Sequence, residues 1–398
     1  MSFLSVLIGM GLCFAILELL ADGYPRMQRQ IFYIAMVVIA VWCTAKYAYG
    51  PDIKNYIPFY ANLRGPSYDL SHMSRYYFEP GFVVFCSVLK GWGFTFWMMT
   101  AVISVLYFTS LTLVLRELEE YRTLALMMVV FLDNNLILSE FRQCLAVSLY
   151  IFFILLIRKR KYIWSLVPLL LCVTMHKSAL LIVFFTILFH LLRGINVQRV
   201  GYLLLSLLIV GLLFFPLMSI FEGYINQFAI SSDMQSSLLH HIKVGKLFQR
   251  VFLLYVFTIL LLAYYKQDAS IDKRRHWLMW CCVAVIVCLY PYWFLLNRLR
   301  SYFLPFLVVY VIRTVRQKDI KDVLPRQLYT AFLILYVAVF LIQIPSKNAL
   351  LRYPTDNISL VFERRYHSEA ALQSRQMRQA KMYWKYDYKK MINSGMQK

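Results

Sequence analysis

Residues 124–157 read LALMMVVFLDNNLILSEFRQCLAVSLYIFFILLI. Two apolar runs, LALMMVVFL and IFFILLI, bracket SEFRQCLAVSLY (139–150), which carries Glu140, Arg142 and Gln143. Either one greasy block is interrupted by charge, or two membrane spans meet at a polar junction. Apolar runs of roughly 15–20 residues recur along the chain, each about long enough to cross a bilayer. Hydrophobic residues make up 61% of the sequence and charged residues 16%, against about 45–50% and about 25% in a soluble domain. The chain is therefore expected to be an all-α, polytopic integral membrane protein, whose helices satisfy their own backbone hydrogen bonds in lipid. In that setting residues 139–143 form a junction, and Arg142 stands at the start of a span.

Hydropathy predicts about twelve transmembrane helices. They are expected near 2–20, 31–48, 94–115, 123–138, 141–157, 162–175, 178–192, 199–217, 247–265, 277–295, 301–316 and 327–344. The first run, SFLSVLIGMGLCFAILELLA, has no basic flank or small-residue cleavage site and reads as a retained span. Residues 81–92 are apolar but too short to cross, which suits an interfacial or re-entrant piece. The expected organisation is a transmembrane domain over 1–345, with long outward loops at 46–93 and 218–246, followed by a basic tail at 346–398.

Basic residues set the orientation. With the N-terminus outside, the short loops 21–30, 116–122, 158–161 (RKRK), 193–199, 266–276 and 313–326 face inward and hold most of the Lys and Arg before the tail. Residues 162–192 could instead form one long helix, but KRR (273–275) would then face outward. The hairpin reading is preferred, with MHKSA (175–179) at its outward tip. The net charge of +22 reflects these flanks, and no nucleic-acid module is visible. The eight cysteines fall in or beside apolar runs without CxxC spacing, as small buried apolar residues do. His240 and His241 adjoin, but no further metal-ligand spacing accompanies them. No metal and no cofactor are expected.

This topology brings polar residues from four segments to one side. Asp52, Tyr56 and Glu79 lie in the loop 46–93. Glu140, Arg142 and Gln143 open the fifth span. His176 and Lys177 sit at the hairpin tip. Asn297, Arg298 and Arg300 open the eleventh span. Charges at membrane depth are functional candidates. Ser139 is expected to cap the fifth span, and Asn297 the eleventh. Free N–H groups and the positive dipole end then face outward at each start, where an anion can dock beside an arginine. Guanidinium groups suit phosphate; the alternative is snorkelling to lipid headgroups. His176 follows the end of a span, where the helix dipole favours its cation and neighbouring Lys177 opposes it; histidine is the side-chain type suited to a general base or acid near neutral pH, or else it is an interface histidine. The Tyr-rich loop suits sugar recognition and an interfacial aromatic belt equally. Glu79 could contact a substrate hydroxyl or pair with an arginine.

The residues GPDIKNY (50–56), FEPGF (78–82), FRQCLAVSLY (141–150), RKRKY (158–162), MHKSALLI (175–182) and NRLRSYF (297–303) together resemble the EpsG family of Wzy-like bacterial polysaccharide polymerases. Family members tend to show G-x-D-x-x-x-Y, E-P-G-F, R-Q-x-L-A, F-H-x-S-A-L and R-x-x-x-Y-F in that order. The resemblance covers most of residues 30–310. The chain departs at Lys46, where the family often has Arg, at Met175, where it has an aromatic residue, and in its long basic tail. The Lys46 change puts a phosphate role for that loop in doubt.

The resemblance implies a Wzy-like, GT-C-like helical bundle with an outward polar site in the bacterial plasma membrane. It implies a glycosyltransferase that joins polyprenyl-pyrophosphate-linked oligosaccharide repeats into exopolysaccharide, capsule or O-antigen. Catalysis would fall to His176, Arg142, Arg298 and Glu79. Substrate binding would fall to Asp52, Tyr56, Gln143, Lys177, Asn297 and Arg300. Asp52 and Glu79 rival His176 as the base. The partners expected are the lipid-linked glycan, the bilayer, and a flippase and chain-length regulator of the same assembly route. The competing classes are a lipid-linked glycan flippase, a membrane O-acyltransferase acting on sugars, and a scaffold for an export complex.

Overall fold

The computed structural model describes residues 3–21, 23–44, 52–73, 76, 78–191 and 293–316. Every regular element among them is a helix: α1 (Phe3–Leu20), α2 (Pro25–Thr44), α3 (Ile53–Asn62), α4 (Pro66–Ser71), α5 (Pro80–Gly91), α6 (Phe96–Leu115), α7 (Arg122–Leu132), α8 (Asn134–Leu138), α9 (Phe141–Arg158), α10 (Tyr162–Met175), α11 (Ser178–Leu191) and α12 (Trp293–Arg316). Three of these, α2, α6 and α9, are long and apolar enough to cross a membrane. The expected spans at 199–217, 247–265 and 327–344, the loop 218–246 and the tail lie outside the described residues.

Within α6, hydroxyl side chains turn back onto their own helix. Thr100 Oγ1 donates to Trp97 O at 2.9 Å, Ser104 Oγ to Thr100 O at 3.0 Å, Ser110 Oγ to Tyr107 O at 2.8 Å and Thr112 Oγ1 to Phe108 O at 2.7 Å. These four hydroxyls thus enter an apolar helix with their donors met, while the buried Tyr107 hydroxyl of the same helix has no hydrogen-bond partner. Thr95 starts α6 by accepting from Met98 N–H at 3.3 Å.

Two expected boundaries move. The span expected at 123–138 divides at Asp133 into α7 and α8. Asp133 carries a short polar side chain, of the kind that competes with a helix for its own backbone groups. At the other end, α12 already runs from Trp293, so Asn297 does not cap a helix and Arg298 and Arg300 do not begin one. Nothing in NRLRS breaks a helix: Leu and Arg are good helix formers, and no Gly or Pro intervenes.

The described residues form two compact units: one of residues up to 149 with 174–176, the other of 150–173 with 177–191 and 293–316. In the first, α1 and α2 pack as a hairpin, with α2 against α6 and α7. Tyr121, at the position before α7, adopts φ 57 and supplies no side-chain cap. Glu18 of α1 takes over that task. Its carboxylate is fully buried and accepts from Thr123 N–H at 2.8 Å and Leu124 N–H at 2.9 Å. These are orphan donors at the positive end of α7, where an anion is favoured. The chain after α1 and the chain before α7, expected on one side, thus share one end of the unit.

The other end carries α3, α4 and α5, separated from the first by the length of α6, about 30 Å at 1.5 Å per residue. Asp69 anchors this region. It accepts from Gly65 N–H at 2.9 Å, Tyr76 Oη at 2.5 Å and Ser87 Oγ at 2.6 Å. Gly65, at φ +123, makes the turn that presents its N–H. Burial works to raise the Asp69 carboxyl's pKa, but these hydrogen bonds outweigh it and hold it below 3.8. Lys90 Nζ donates to the Tyr60 and Ala61 carbonyls at 2.8 and 2.7 Å, closing the end of α3. The apolar piece expected at 81–92 is α5, which at about 18 Å is short of a bilayer's width.

Two stability predictions follow from these carboxylates. Glu18→Ala strands one buried and one part-buried N–H group and should cost about 2–3 kcal/mol; Glu18→Gln, keeping one acceptor, should lose less. Thermal unfolding in detergent measures both, and a wild-type melting temperature for Glu18→Ala would contradict the capping role. For Asp69 the folded pKa lies below the unfolded one, so its stabilisation is present well above pH 3.8 and lost as pH falls through the folded value. The melting-temperature gap between wild type and Asp69→Asn should therefore close on acidification.

Candidate functional site

The start of α9 fixes the first polar group. Cys144 N–H bonds the Glu140 carbonyl at 2.8 Å, so Glu140, not Ser139, is the residue at the cap. Arg142 is then the second residue of the helix, between buried Phe141 and buried Gln143. A cation at a helix N-terminus opposes the dipole. The arginine is compensated by neighbours from the loop 46–93. Its Nη1 lies 2.5 Å from Glu79 Oε2, and its Nε donates to Tyr56 Oη at 3.2 Å. The guanidinium carbon stands 4.7 Å from the Phe78 ring centre and 5.8 Å from that of Tyr56, within cation–π range.

The run Glu79-Pro80-Gly81-Phe82 explains why a carboxylate waits there. Pro80 opens α5, where its missing N–H is not needed. Glu79 precedes it in an extended conformation and does not cap its own helix, and its side chain meets Arg142 instead. A Cβ added to Gly81 would strike the Thr174 side chain and come within 2.9 Å of its backbone carbonyl carbon. Only glycine lets the start of α5 touch the end of α10 so closely. Phe82 is fully buried and packs 5.8 Å from Tyr56, ring to ring.

That contact brings His176 into play. The histidine is buried at 6% exposure, directly after α10, where the helix breaks before α11 as the hairpin reading expects. Burial works to raise the Glu79 carboxyl's pKa; Arg142, the hydrogen bonds and His176 outweigh it, and the group is held below the usual carboxylate value. Glu79 is thus an ionised partner and a weak base at neutral pH. Burial also pushes the Tyr56 phenol up, with Arg142 opposing and Asp52 reinforcing, so Tyr56 stays a neutral hydroxyl. Asp52 is half-buried at the head of α3, with no side-chain cap bond.

The first unit therefore gathers Asp52, Tyr56, Glu79, Arg142, Gln143 and His176. The other expected residues belong to the second unit. Lys177 is exposed, Arg298 and Arg300 are half-buried, and Asn297 lies inside α12. Around them the motif residues are structural. Tyr150, Tyr302 and Phe303 are fully buried, and the Tyr150 ring stands 5.4 Å from Tyr302 and 5.7 Å from Phe303. Ser178 Oγ and Tyr302 Oη lie 3.2 Å apart, and Tyr150 Oη meets Thr186 Oγ1 at 2.7 Å. Among the described residues no group of three or more His, Cys, Asp or Glu could hold a metal ion.

Sequence reasoning missed Phe78 and the Gly81–Thr174 contact. The signal for the second was a glycine directly after an N1 proline, where a helix former would otherwise be expected.

Residues 31–355 match the EpsG family. The chain belongs to the EpsG family. The match spans the motif set that suggested it, from GPDIKNY to NRLRSYF. Neither a curated protein nor a solved structure matches the chain. Membership of the EpsG family, with its apolar helices, places the protein in polysaccharide biosynthesis at a membrane.

Gly81→Ala should separate α5 from Thr174 and loosen the Glu79–Arg142 pair, at about 1–3 kcal/mol of stability. Adding Thr174→Gly should restore only part of it, because the backbone carbon stays in the way. Melting temperatures of the single and double variants measure both effects. An unchanged melting temperature for Gly81→Ala would show that the approach is looser than described.

Proposed function

We propose that the protein is a polysaccharide polymerase, a glycosyltransferase that joins polyprenyl-pyrophosphate-linked oligosaccharide repeats on the outer face of the bacterial plasma membrane. The observation that carries this reading is Arg142 at the start of α9, held by Glu79 and Tyr56 beside buried His176. An acceptor sugar hydroxyl attacks the anomeric carbon of the lipid-linked donor. The new glycosidic bond forms as the bond to pyrophosphate breaks, and the electron pair leaves with the pyrophosphate. His176 takes the acceptor's proton. Arg142 stabilises the charge developing on the leaving group, as preorganised donors do in a water-poor site.

Arg298 and Arg300, with Lys177 and Asn297, serve as further ligands of the pyrophosphate and its first sugar. Gln143, Tyr56 and Asp52 offer hydrogen bonds to sugar hydroxyls. The product is an exopolysaccharide, capsule or O-antigen chain, made alongside a flippase and a chain-length regulator.

Purified protein in lipid nanodiscs, given lipid-linked repeat units, tests the reading. Longer lipid-linked glycans support it. The same protein in sealed vesicles that moves the substrate across the bilayer without elongating it is a flippase, and acyl transfer identifies an acyltransferase. Arg142→Ala should lower elongation by ~10²–10³ and His176→Gln by ~10²–10⁴, at equal abundance in the membrane. Wild-type turnover in Arg142→Ala would remove the anion site; in His176→Gln it would remove the base.

A further inference from the structure

Resting on the reading above, the site's anion-seeking group already holds an anion. Glu79 Oε2 sits 2.5 Å from Arg142 Nη1, on a guanidinium edge that a phosphate oxygen would occupy. Tyr56 takes Nε–H, and Phe78 lies against the guanidinium. The arginine is thus fixed in direction, while one of its edges is filled by a carboxylate. A phosphate ligand on that edge competes with Glu79 directly, because both are oxyanions seeking the same N–H groups.

Glu79 has somewhere to go. Its main chain is pinned by Pro80 and by the contact of Gly81 with Thr174, so the residue cannot retreat. The contact of Gly81 with Thr174 brings the start of α5 to the chain two residues before His176. Carboxylate torsions are soft at their terminal bond. A turn of the side chain exchanges the guanidinium for the imidazole as its partner, while the pyrophosphate takes its place on Arg142.

We propose that Glu79 is an internal stand-in for the substrate's phosphate: it holds Arg142 in the empty site, yields the arginine to the incoming pyrophosphate, and then pairs with His176. Glu79 is in this view a positioning residue, not the base. Its displacement ties the two halves of the chemistry together. Binding of the leaving group moves a negative charge to the imidazole that must become positive when the acceptor proton arrives. The energetic signature is a competitor that lowers affinity for the free ligand and raises the rate once the ligand is bound.

The full-length protein in nanodiscs, titrated with inorganic pyrophosphate by calorimetry, decides the matter. If Glu79 occupies Arg142 most of the time, removing its charge frees the site, and Glu79→Gln should bind pyrophosphate about tenfold tighter than wild type. Its kcat on lipid-linked repeats should fall while KM falls with it. Glu79→Asp, whose carboxylate stands back by one methylene, should tighten binding by a smaller factor, and it carries the test if Glu79→Gln does not fold. Equal or weaker pyrophosphate binding in the folded variant overturns the proposal, since a partner that merely orients Arg142 would lose affinity when removed. So does the absence of measurable binding in both wild type and variant. If wild type fails to elongate glycans while Glu79→Gln still binds pyrophosphate more tightly, the polymerase reading fails and the exchange stands.

Discussion

The ion pair between Arg142 and Glu79 is the constraint on which the first unit's polar end depends. It places a cation at the positive end of a helix, in surroundings where burial makes charge expensive. Neither residue is tolerable there alone. Together they fasten the start of α9 to the segment that leads into α5. Tyr56 and Phe78 close around the guanidinium from the same loop. The aromatic packing continues outward, with Tyr56 stacked on Phe78 at 5.3 Å and Phe59 edge-on to Phe78 at 4.5 Å. Folding of the loop and orientation of the arginine are therefore one event.

Three buried carboxylates show how the same group takes different roles. Glu18 accepts two backbone N–H groups, and Asp69 accepts backbone and hydroxyl donors. Their partners are fixed by the main chain or by short side chains, so both act as fasteners. Glu79 is held by a long side chain whose donors outnumber what one carboxylate oxygen can use. Its partner can be shared, and that difference, more than burial, separates it from the other two.

The sequence made the membrane class legible through composition and run length. It made the convergence of Tyr56, Glu79, Arg142 and His176 legible through the placement of Lys and Arg in short loops. Less legible were features set by neighbours distant in sequence. Ser139 looked like the better cap by residue type, yet the helix begins one residue later and Glu140 takes the position. Arg298 and Arg300 looked like a helix start because charge was read as an interruption, whereas α12 carries them on one of its turns. The cap on α7 comes from Glu18, 105 residues away, and no local pattern announces it.

The meeting of Gly81 with the backbone of Thr174 has a further consequence. It makes the spacing between Glu79 and His176 a property of the main chain and not of any side chain lining the site. On the polymerase proposal, walls such as Phe59 and Phe78 can be exchanged to suit a different sugar while that ruler stays the same length. A chain built this way can change the walls around the arginine and leave that distance untouched.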